Sequence, residues 1–181
     1  MSIAEWIATI CGIVYLVLIA KTNRWGWIFG IVSCLIIAIV SWKQQIYYQA
    51  ILQGLYVVLG VYGFVSWNKS NELRTSKLSR NHLILTLIIG TALSVALFLL
   101  APLSQKAPML DAVITSFAII ATVLSARMIL ENWLFWIPIN VLSVVLFYEQ
   151  DLKLFADLYF INLIMAIWGY FLWKKEYEKK A

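Results

Sequence analysis

The chain has 181 residues, 63% of them hydrophobic and 13% charged, with nine Trp, nine Tyr and nine Phe. That is more apolar surface than a water-soluble domain can bury, so a soluble enzyme and a nucleic-acid-binding module are poor readings. The net charge of +5 is better explained by basic loops and a basic tail beside anionic lipid than by a polyanion groove.

A helix needs about 20 mainly apolar residues to cross a hydrocarbon core of roughly 30 Å. Seven segments qualify: 4–20, 25–42, 46–67, 83–101, 109–127, 133–148 and 154–173. The first has Glu5 ahead of it and no basic run, which argues against a cleaved leader. Cys11 and Cys34 lie within the first two segments without a CxxC or a histidine pair, as inert apolar thiols do. The third segment carries Gln49, Gln53, Tyr56, Gly60 and Gly63 at helical spacing, and the polar stretch 68–82 after it is a loop. The sixth opens with the string NWLFWIPIN (132–140), and the seventh places Phe155, Tyr159, Asn162, Ala166 and Gly169 on one stripe.

Lysine and arginine set the orientation. With the N-terminus outside, Lys21, Arg24, Lys69, Arg74, Lys77, Arg80, Arg127, Lys174, Lys175, Lys179 and Lys180 fall inside, and only Lys43, Lys106 and Lys153 outside. The expectation is therefore N-outside, C-cytoplasmic in a bacterial inner membrane.

The chain also repeats itself. YGFVSW (62–67) recurs as WGYFLW (168–173), 106 positions later, and the same offset sets Glu5 on Asp111, Thr9 on Thr115 and Lys21 on Arg127. NRWGW (23–27) overlies NWLFW (132–136) only at 109 positions, which pairs Trp27 with Trp136. The expected architecture is an all-α integral membrane protein, seven helices in a 3+1+3 parallel repeat of SWEET-like type: units 4–67 and 109–173 joined by a linker helix at 83–101, with substrate near the midplane between the units.

Amides deep in a membrane helix cost free energy unless paired, so they face protein or water. Trp136, Asn140 and Gln53 lead the expected substrate contacts, followed by Trp133, Trp27, Tyr56, Tyr159 and Asn162. Asp157 is the one carboxylate well inside a segment, although it points away from the Tyr159 stripe. Together they suit a flat heterocycle: Trp faces stack and attract a cation, while amides both donate and accept. Trp6, Trp42, Trp67 and Trp173, at segment ends, are expected in the interfacial belt. Gly60, Gly63 and Gly169 should let helices approach closely, and Pro138 should kink its helix. No metal cluster, cofactor motif, proton relay or nucleophile–base pair is apparent, so neither an enzyme nor a cofactor is expected.

The pattern N-W-x-x-W-x-x-x-N over 132–140 followed by Ser143, together with AILQGLYVVLGVYGFVSW (50–67) and MAIWGYFLW (165–173), resembles the PnuC family of bacterial vitamin transporters over nearly the whole chain. The resemblance implies facilitated diffusion of an unphosphorylated vitamin, trapping by an intracellular kinase, substrate binding through Trp133, Trp136 and Asn140, and a homotrimer. Asn162 and Asp157 in an otherwise apolar seventh segment favour a thiamine-type member. Nicotinamide riboside is the alternative, then riboflavin, a vitamin-binding subunit that does not transport, or a sugar carrier.

Overall fold

A lipid-exposed backbone must satisfy its own hydrogen bonds, so long apolar segments become helices. In the computed structural model, which describes residues 3–45, 47–69, 75–101 and 107–180, seven helices follow in order: α1 (Ile3–Ala20), α2 (Gly26–Lys43), α3 (Tyr47–Lys69), α4 (Arg80–Leu100), α5 (Pro108–Ala126), α6 (Asn132–Glu149) and α7 (Lys153–Lys180). All seven are long and apolar enough to cross a membrane. Arg74 and Lys106, both used in the charge asymmetry, lie outside the described residues.

Two ends differ from expectation. α4 starts at Arg80 because the Ser79 side chain caps it, accepting from the His82 N–H. α7 runs to Lys180, well beyond the expected end at 173. The tail favours this, because Lys174 lies 3.8 Å from Glu178 and Lys179 3.5 Å from Glu176, pairs spaced for a helix surface. At its other end α7 begins at Lys153, so Asp157 falls past the first turn, beyond the reach of the helix dipole.

The chain divides into two compact units, Met1–Arg74 and Thr75–Ala181. In the first, α2 packs against both α1 and α3; in the second, α4 packs on α5, α5 on α6 and α6 on α7. The expected linker helix thus belongs to the second unit. Its outer face is apolar and open, with Leu99 and Leu100 75% and 76% exposed, as lipid-facing residues are.

Inside each unit the same joint recurs. The Trp27 ring occupies the place where a Cβ on Gly63 would come within 2.5 Å, and Trp133 fills the equivalent space at Gly169, at 2.6 Å. Trp27 meets Trp67 edge-on at 5.6 Å, and Trp133 meets Trp173 at 5.5 Å, both pairs at 90°. Trp67 and Trp173 are 2% and 0% exposed, so the belt expected of them is corrected: both close a helix joint. Trp6 and Trp42 are exposed, as belt residues should be.

The turns repeat too. Thr22 (φ 54°) and Met128 (φ 56°) are left-handed at the first turn of each unit, and Gln45 (φ 61°) and Asp151 (φ 59°) at the second. Every one of these pairs lies 106 positions apart, and α2 and α6 start and end on the same offset. The 109-position match of α2 to α6 is thereby corrected. The letters NRWGW and NWLFW resemble each other out of register, whereas the glycine notch and the paired turns fix Trp27 opposite Trp133.

Candidate functional site

α6 carries the motif that matters most, and its polar groups divide into satisfied and unsatisfied ones. Asn132, fully buried, accepts from Ser125 Oγ at 2.9 Å and donates to the Ile129 carbonyl at 2.6 Å, fastening the α5–α6 turn. Ser143 returns its proton to the Ile139 carbonyl at 2.8 Å. Asn140 is 3% exposed and makes no hydrogen bond among the described residues. An amide so placed presents a donor and an acceptor that a ligand or water can meet.

The rest of the stripe frames that amide. At one end Trp133, 2% exposed, is locked against Gly169 and Trp173. At the other, Phe147 stacks on Tyr159 at 5.1 Å and on Phe155 at 5.5 Å. These two contacts set α6 and α7 antiparallel, so the α7 stretch from Asn162 to Ala166 passes at the level of Asn140 and Ser143. Asn162 is half-buried and likewise lacks a partner among the described residues. Trp136, one turn from Asn140, is half-buried against the α5–α6 core of Ile114, Ala118, Ala121, Ile139 and Leu146. Trp136 and Asn140, one turn apart on α6, and Asn162 near their level on α7 thus lie in one unit, with no hydrogen-bond partner for their side chains among the described residues. Trp133 and Tyr159 brace the two ends, and the Trp133 indole N–H is buried without a partner among the described residues.

Of the other candidates, Trp27 is 1% exposed and packed in its glycine notch, its indole N–H also unpartnered. Gln53 and Tyr56 are half-buried on α3. Asp157 is exposed, off the stripe, as its spacing from Tyr159 demands. The carboxylate offered as a reason to favour thiamine is thus not beside Asn140. An apolar groove of about 440 Å³ between the end of α2 and the start of α3, lined by Ala38, Ile39, Trp42, Lys43, Ala50 and Ile51, holds none of the nine candidates. Among the described residues no cluster of His, Cys, Asp or Glu could hold a metal.

Sequence reading missed Tyr15. At the 106-position register Gly30 stands where Trp136 does, and Tyr15 stands where Ala121 does. The Tyr15 ring fills the notch over Gly30, where a Cβ would lie 2.8 Å away. Large and small residues have traded helices at that register: tyrosine on α1 over glycine on α2 in the first unit, and in the second alanine on α5 with tryptophan on α6, packed against the core that includes Ala121. Keeping one offset throughout would have revealed the exchange.

The profile of the nicotinamide mononucleotide transporter family matches residues 2–175. The chain belongs to that family. It is similar to the nicotinamide riboside transporter PnuC of Neisseria mucosa (28% identical, 93% of this chain and 71% of that one) and of Escherichia coli K12 (23%, 96% and 85%). It is also similar to the riboflavin/roseoflavin transporter RibM of Streptomyces davaonensis (23%, 92% and 82%). The crystal structure of the vitamin B3 transporter PnuC superposes with a TM-score of 0.81 at 25% identity, covering 98% of this chain and 83% of that one. As a member of the nicotinamide mononucleotide transporter family the protein is a multi-pass membrane transporter, which agrees with its seven apolar helices.

Proposed function

We propose that the protein carries nicotinamide riboside across the bacterial cytoplasmic membrane by facilitated diffusion, N-terminus outside, with intracellular phosphorylation trapping the product. The observation that carries the reading is Asn140: an amide 3% exposed, without a partner among the described residues, one turn from a half-buried Trp136, on a helix whose other asparagine both accepts and donates a hydrogen bond. A nicotinamide carboxamide presents one acceptor and two donors, which an asparagine side chain complements. The pyridinium ring is flat and cationic, and a Trp face attracts such a ring by roughly 0.5–2 kcal/mol.

The thiamine preference gives way. It rested on Asn162 and Asp157, and Asp157 is exposed; the nicotinamide-riboside names among the relatives favour the riboside instead. The unphosphorylated form is favoured over the mononucleotide because α6 contains no Lys or Arg to pair with a phosphate. Alternating access without an ion partner fits a site of amides and aromatic rings.

Isothermal titration of the purified protein with nicotinamide riboside, thiamine and riboflavin, followed by uptake into liposomes with no ion gradient, tests this. Binding and equilibrating uptake of nicotinamide riboside alone are expected. Binding of thiamine with none of the riboside would overturn the substrate, and accumulation that collapses with a proton or sodium gradient would overturn the mechanism.

A further inference from the structure

Residues 75–79, between the end of the first unit and α4, do not hang free. Ser76 donates its N–H to the Met128 carbonyl at 3.0 Å and accepts from the Leu130 N–H at 2.9 Å, an isolated parallel bridge laid along the α5–α6 turn. Leu78 donates its N–H to the Glu131 carboxylate at 3.0 Å. Lys77 sits over the Tyr177 ring of α7 at 4.4 Å, and Thr75 is buried. One five-residue strap therefore grips the turn before α6 and the far end of α7, and then becomes the cap of α4.

The grip is specific to this unit. At the 106-position register Glu131 corresponds to Trp25, an exposed ring with no carboxylate to receive a strap. A bond from a backbone N–H to an ionised carboxylate is among the stronger that a loop can form. Glu131 immediately precedes Asn132, and from there the helix runs two turns to Asn140.

We propose that Glu131 is a positioning residue. By clamping the strap onto the α5–α6 turn, it couples residues 75–79 and the start of α4 to the first turn of the helix that carries Trp136 and Asn140, and so sets the rate of transport without touching substrate. The proposal rests on the transport reading above.

Three measurements test it: hydrogen exchange of the purified protein, titration with nicotinamide riboside, and liposome uptake of that vitamin. Glu131→Ala is expected to speed exchange across 129–136 and to cut uptake at saturating substrate about fivefold or more, while Kd stays within about twofold. Glu131→Gln, whose amide oxygen still accepts from Leu78, should keep half or more of the uptake. The exposed Lys77→Ala, which cannot unfold a helix core, should give a smaller loss of the same kind. In a Cys11→Ala/Cys34→Ala background, an oxidised Ser76→Cys/Ile129→Cys pair should restore uptake to Glu131→Ala. Unchanged exchange over 129–136 overturns the proposal whatever the wild type carries, so its failure is distinct from a failure of the transport reading. Kd weakened in step with uptake, or no rescue by the disulfide in a protein that still binds, would overturn it as well.

Discussion

Two asparagines eight positions apart on one helix do opposite work. Asn132 ties Ser125 to the Ile129 carbonyl, so Asn132→Ala removes two buried hydrogen bonds and should cost about 1–3 kcal/mol of stability. Asn140 holds no partner among the described residues, so Asn140→Ala breaks no hydrogen bond there and should leave the melting temperature nearly level. Binding should invert that order: Asn140→Ala is expected to weaken nicotinamide riboside at least about tenfold, worth about 1.4 kcal/mol, and Asn132→Ala to weaken it little in the fraction that folds. Thermal unfolding in detergent beside titration reads both. Equal effects on binding would mean that Asn140 is merely structural. The sequence put Asn140 forward as a substrate contact and left Asn132 out; the partner that holds Asn132 was not legible, because Ser125 sits on α5.

At the level of helices, the glycines separate by what they face. Gly63→Ala and Gly169→Ala would place a Cβ within 2.5–2.6 Å of an indole wedged between two helices, and each should destabilise by about 1–3 kcal/mol. Gly54, on the same helix as Gly63, faces open space, and Gly54→Ala should be neutral or stabilise by up to about 1 kcal/mol. The turns offer the converse gain: Thr22 is a β-branched residue at φ 54°, and Thr22→Gly should raise stability by about 1 kcal/mol. Unfolding of the four single variants in one detergent checks the set, and a stabilising Gly63→Ala would refute the glycine-notch account. Helix number and most ends were legible because the hydrocarbon sets a length that composition must meet; the start of α4 and the end of α7 were not, because a cap and surface ion pairs set them. The joints were legible in part: Gly60, Gly63 and Gly169 stood out, but Trp67 and Trp173 looked like belt residues, since position in a segment does not reveal what a ring leans on.

Across the whole molecule the internal repeat explains both what was read correctly and what was not. Segments one and five, and three and seven, matched at 106 positions from letters alone; α2 and α6 did not, because their letters differ at that offset while the turns and notches stay in register. The difference is plainest where Tyr15 over Gly30 in one unit corresponds to Ala121 and Trp136 in the other. If those pairs are alternative solutions to one packing problem, they should be exchangeable only together. Gly30→Trp alone drives an indole into the Tyr15 ring and should cost several kcal/mol or abolish folding. Tyr15→Ala alone leaves a cavity and should cost about 3–5 kcal/mol, in the range for large aromatic truncations. The double variant Tyr15→Ala/Gly30→Trp rebuilds the second unit's pairing in the first, and the coupling between the two changes should be favourable by about 0.5–3 kcal/mol. A double-mutant cycle on thermal unfolding measures that coupling. Strict additivity would mean that the common offset records ancestry in the backbone alone; a favourable coupling would mean that the two units share one packing grammar, and that the site owes its one-sided form to which helix holds the larger ring.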